Sequence, residues 1–166
     1  MNSTTDTSST ENNPYNAPNA ELLNSNSSSE IHNFTRFSAW AVFFLSLFTA
    51  GIYPVYWLYS RSTTLNETHE SKIHKAWLIS LVAITLLSFA SSFFGDSEMA
   101  IVLALLVSVA YLVIYITVLF MVRNRLQTVI QNSSNNSLSV GPVLTFFFNC
   151  IYLQYKINEC IDQNPK

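Results

Sequence analysis

Three stretches of this chain, residues 37–60, 76–95 and 99–122, contain no Asp, Glu, Lys or Arg. Soluble domains carry roughly 25% charged residues spread over a wetted surface. Here the charged fraction is 11%, and the charges are confined to the segments between and around these windows. A helix over residues 99–122 would extend about 36 Å, enough to cross a hydrocarbon layer of about 30 Å. The reading is an all-α integral membrane fold with about three transmembrane helices, at residues 37–59, 76–95 and 99–122, whose first partner is the lipid bilayer. Net charge is −2 and Lys and Arg form no run, which argues against a nucleic-acid partner.

The spans differ in quality. Residues 99–122 are interrupted only by Ser108, Tyr111, Tyr115 and Thr117. In residues 76–95 the polar atoms are mostly Ser and Thr hydroxyls, which can bond back to helix carbonyls. Only Gly95-Asp96-Ser97-Glu98 separates these two, so they form an antiparallel hairpin. Residues 37–59 carry Thr49-Ala50-Gly51-Ile52-Tyr53-Pro54 in their middle, and Pro54 has no N–H for the carbonyl four residues earlier. A spanning helix kinked or broken near Pro54 is the reading taken. A re-entrant element, entering over 37–50 and returning over 54–60, is the alternative.

Outside the spans, residues 1–36 hold eight Asn, seven Ser and five Thr, too few large apolar groups to offset the entropy of ordering, and read as a disordered tail. Met1 to Ala20 contains Asp6 and Glu11 but no Lys or Arg, so it reads as a retained tail rather than a secretory leader. After Val122, the spacing of Leu126, Val129 and Ile130 lets the helix run on through Arg123-Asn124-Arg125. A polar linker over 131–139 then precedes a C-terminal apolar helix, 140–161. Its apolar part gives only about 24 Å of helix, which favours a short interfacial or half-inserted element over a further span.

Orientation rests on the basic residues. With 37–59 spanning, Arg61, Lys72, Lys75, Arg123, Arg125, Lys156 and Lys166 share one side, and Arg36 alone lies on the other. Basic residues favour the cytoplasm. With a re-entrant first segment, all eight share it. Tyr53, Tyr56, Trp57, Trp77, Tyr152 and Tyr155 flank these positions as an aromatic rim at headgroup depth.

The run Gly51-Ile52-Tyr53-Pro54-Val55-Tyr56-Trp57, together with Tyr152-Leu153-Gln154-Tyr155-Lys156-Ile157-Asn158, resembles a family of small, uncharacterised bacterial multi-pass membrane proteins, domain of unknown function 4234. The resemblance covers roughly residues 38–161. It implies location in the bacterial inner (cell) membrane and brings no activity, substrate or catalytic residue. Independently, Ile52-Tyr53-x-x-Tyr56 and Ile151-Tyr152-x-x-Tyr155 repeat one pattern. Interface anchoring explains it more simply than a transporter repeat does.

No nucleophile elbow, phosphate loop or Cys-x-x-Cys motif is present, so the expectation is a protein that is not an enzyme, with no cofactor-binding, metal-binding or catalytic residues. Glu67, His69, Glu70 and His74 read as a solvated loop. The spans hold no ionisable acid or base, whereas proton-coupled carriers retain such groups at a cost of about 2.5 kcal/mol or more each. Small residues do recur: Ala100, Ala104 and Ser108 on the third span, and Thr85, Ser88 and Ser92 on the second. Such faces let helices approach closely. They serve the hairpin itself or a seam with a homo-oligomer or another membrane protein. Asn149, the strongest polar side chain at membrane depth, is expected to bond between helices. Function is read as a membrane interaction or scaffold module, with a minimal oligomeric channel or carrier for a neutral or apolar solute as the alternative.

Overall fold

A computed structural model describes residues 31–68, 72–93, 97–133 and 138–164. Among the described residues the fold is all-α, with five helices: α1 (Ala39–Phe48), α2 (Ile52–Thr68), α3 (Lys75–Ser91), α4 (Glu98–Ser133) and α5 (Pro142–Gln163). The expected disordered tail up to residue 30, the Gly95-Asp96 turn and the His69-Glu70 pair lie outside the described residues. The remainder of the expected tail is packed, since Ile31 and Phe34 are buried in the core.

Helix α4 is long and apolar enough to cross a membrane. Ser97 Oγ accepts from the Ala100 N–H at its start, and Glu98 in its first turn complements the helix dipole. At 36 residues it is about 54 Å long, and its two halves have different surroundings. From Glu98 to Ile114 only Val107 is buried; beyond that, Tyr115, Val118, Leu119, Val122, Leu126, Val129, Ile130 and Ser133 all are. The second half is the axis of the core. Leu58, Leu65, Leu81, Leu153 and Ile157 are buried in the same cluster.

The first apolar segment is two helices, not one kinked helix. The break lies at Thr49–Gly51, ahead of Pro54, because Pro54 occupies the third position of α2, where an N–H would have no intrahelical partner anyway. The Ala50 N–H donates to Leu47 O and the Gly51 N–H to Ser46 O, the bond pair of a Schellman ending. It requires positive φ, adopted by Ala50 (φ 49) and Gly51 (φ 88). Thr49 joins the two helices: its Oγ1 donates to Leu45 O and accepts from the Tyr53 N–H. The chain then doubles back. Arg61 Nη2 donates to Thr35 O at 3.1 Å, whereas a straight helix would hold residues 35 and 61 about 39 Å apart.

Helix α5 also turns sharply. Asn149 has φ 56 and ψ −136 inside it. The Gly141 N–H reaches Tyr152 Oη at 3.0 Å, although eleven residues of straight helix would rise about 16 Å. The expected short helix over 140–161 is therefore two arms, with Pro142 at the first helical position of one, as its lack of an N–H allows.

Candidate functional site

Two polar clusters hold the bent elements in place, one where their arms begin and one where they turn. At the first, Gln154 is fully buried on α5. Its Oε1 accepts from Trp57 Nε1 at 3.0 Å and from Arg61 Nη2 at 3.1 Å, both on α2. Gln154 Nε2 donates to Asn158 Oδ1 at 3.0 Å, and Asn158 Nδ2 donates to Phe37 O at 2.7 Å, just ahead of α1. The Arg61 guanidinium also lies over the Trp57 ring, 5.7 Å from its centroid. Two amides, Gln154 and Asn158, thus tie three segments that sequence separation keeps far apart.

Arg61 is the unusual member. It is only 8% exposed, and its Nε has no partner among the described residues. The ion pairs found among those residues are Arg36–Asp162 and Lys156–Glu159, neither of which involves it. Burial lowers its pKa from the ordinary arginine value, opposed by nearby Tyr53 and Tyr56. An arginine keeps its charge regardless. The positive charge is therefore held by carbonyl oxygens and an aromatic face.

The second cluster sits at the turns. Tyr115 Oη, on α4, donates to Asn149 Oδ1 at 2.7 Å, which meets the amide where the α5 backbone reverses. Cys150 Sγ lies 3.7 Å from Pro54 O, so the turn of α5 touches the start of α2. The positive-φ residues Ala50 and Asn149 each stand two positions ahead of an Ile-Tyr-x-x-Tyr run. The short repeat therefore marks two bends of related local form.

The residues singled out by sequence are placed as follows. Trp57 does not belong to the aromatic rim: it is 2% exposed, because its indole N–H is used by Gln154. Tyr53 and Tyr152 are half-buried, with Tyr152 Oη bound to Gly141, while Tyr56, Trp77 and Tyr155 are exposed. Of the small residues, Ala100, Ala104, Thr85 and Ser88 are half-buried, in register with buried Val107 on α4 and Leu81 on α3, whereas Ser92 and Ser108 are exposed. Thr85 and Ser108 hydroxyls bond to carbonyls four residues back, at Leu81 and Ala104. His74 caps α3 through Nδ1, which accepts from the Ala76 N–H. Arg61 and Gln154 were not singled out as site residues by the sequence reading. A charged or amide group inside an aromatic run was the available signal.

These features define an all-α protein in which one long apolar helix supports two bent elements clasped at their bases. The family model described as Domain of unknown function (DUF4234) matches residues 37–163, and the chain belongs to that family. No curated protein and no solved structure matches it.

Proposed function

We propose that the chain is an integral membrane protein in which α3 and α4 cross the bilayer, and that it works as a membrane interaction or scaffold module. One observation carries the reading: large apolar side chains are exposed all along α1, α3, the first half of α4 and the first arm of α5, among them Trp40, Phe48, Leu86, Leu105 and Phe147. Water does not tolerate so continuous an apolar surface, and lipid does. The α1–α2 and α5 bends are then re-entrant, with their freed backbone groups satisfied by protein. Arg36 beside Asp162 and Arg61 beside Thr35 put the basic residues at one end, which supports a cytoplasmic position for that end.

The scaffold role is tested by crosslinking in native membranes and identifying what is attached. One or a few membrane proteins, recovered reproducibly and lost when exposed α3 or α4 residues are changed, are expected. Absence of any partner, including a second copy, contradicts it. A second reading, a minimal carrier for a neutral solute, is favoured by the contact between two broken helices at Pro54 and Cys150, since paired breaks line solute sites in transporters. Water-soluble thiol reagents distinguish them: a cysteine at Tyr111 reacts if it lines a wet path and stays protected if it packs.

A further inference from the structure

The two bent elements enter from the same end of α4, and α4 serves as a ruler for how far they reach. At the base of α5, Arg123 Nε donates to Val140 O at 2.9 Å, and Gln127 Oε1 accepts from the Val140 N–H. At the turn of α5, Asn149 meets Tyr115. Those positions on α4 are separated by about ten residues, or about 15 Å, half the hydrocarbon thickness. The turn of the first element stops at the same level, because Pro54 O touches Cys150. From Tyr115 back to Glu98, a further 26 Å or so, α4 is almost wholly unburied, with Val107 the one buried residue before Tyr115.

In cross-section, the basic end therefore holds α1, α2, α3, α4 and both arms of α5, six helical rods. Among the described residues the opposite end holds two, α3 and α4. Helices of similar diameter give the basic end roughly three times the area of the other. The side chains at the turns suit insertion into acyl chains: Phe48 is 82% exposed and Phe147 is 73% exposed.

We propose that the chain is a one-leaflet wedge, which inserts two half-depth helical elements into the leaflet on its basic side and so favours and stabilises membrane that is convex on that side. Its partner is the lipid surface itself. The inference rests on the membrane reading above and adds the asymmetry. Unequal area in the two leaflets is relieved when the fuller leaflet lies on the outer side of a curved bilayer, and half-inserted helices are sensitive to curvature for the same reason.

The full chain, tagged at its C-terminus, is reconstituted into small sonicated and large extruded vesicles of one lipid composition. Flotation after carbonate washing reports insertion, and protease access to the tag reports orientation. The expected result is flotation with both sizes and an outside-to-inside tag ratio at least about twofold higher in the small vesicles. Equal ratios with intact flotation overturn the wedge and leave the membrane reading standing. Failure to float overturns both. A Phe48→Gln, Phe147→Gln variant, altered only at exposed positions, is expected to float while its ratio falls towards the large-vesicle value. An unchanged ratio in that variant shows that the half-depth elements are not the source of the bias and overturns the proposal.

Discussion

Replacing Gln154 with Leu is expected to lower the stability of the detergent-solubilised chain by about 2–4 kcal/mol, the range for losing a hydrogen bond to a charged group and stranding a buried donor beside it. The substitution nearly preserves volume, so the loss is not a cavity effect. It removes the acceptor for both Trp57 Nε1 and Arg61 Nη2, which are buried, and the donor to the half-buried Asn158. Arg61 would then retain one carbonyl and an aromatic face. The companion change Arg61→Met is expected to cost less, because it removes the charge instead of abandoning it, as the handling of buried ion pairs indicates. Unfolding midpoints measured by circular dichroism in one detergent check the order. A Gln154→Leu midpoint equal to that of the wild type contradicts the clasp.

The second large effect is expected at the α5 bend. Asn149→Ala leaves the Tyr115 hydroxyl without its acceptor and places a Cβ-bearing residue with no compensating bond at φ 56, for a combined cost of about 2–4 kcal/mol. Asn149→Gly loses the same hydrogen bond but adopts that backbone freely, so it is expected to cost about half as much. Tyr115→Phe removes only the donor and is expected to cost about 1 kcal/mol. The order Ala, Gly, Phe is the outcome to check, again by unfolding midpoints. Equal losses for Ala and Gly contradict a bend held by positive φ.

Local chemistry was readable in the sequence, and long-range pairing was not. The charge-free windows located the apolar elements, and the spacing of Val122, Leu126, Val129 and Ile130 placed a single face that is buried in α4. The run Thr49-Ala50-Gly51-Ile52-Tyr53-Pro54 marked the first break, and within it the proline itself obstructs nothing, because it falls in the first turn of the following helix. The actual signal was Thr49-Ala50-Gly51, a hydroxyl followed by a glycine able to follow a helix end. The doubling back depends on the contact between Arg61 and Thr35, and the burial of Trp57 on a residue 97 positions away. No windowed pattern contains such pairs. Trp57 beside Tyr56 and ahead of Arg61 therefore looks like an interface anchor until Gln154 is placed against it. At Asn149 the only sequence cue to a bend was the repeated Ile-Tyr-x-x-Tyr, too short to interpret before both positive-φ residues were seen ahead of it.

The central claim is that α3 and α4 cross a bilayer while the elements on either side of them enter and leave by one face. Single cysteines at Ser38, ahead of α1, and at Ser97, immediately ahead of α4, test it with a membrane-impermeant thiol reagent applied to intact and then permeabilised spheroplasts. Labelling of the Ser97 position in intact spheroplasts, with the Ser38 position reached only after permeabilisation, is the expected result. Labelling of the Ser38 position from outside would mean that residues 37–59 cross the bilayer once, and would contradict it.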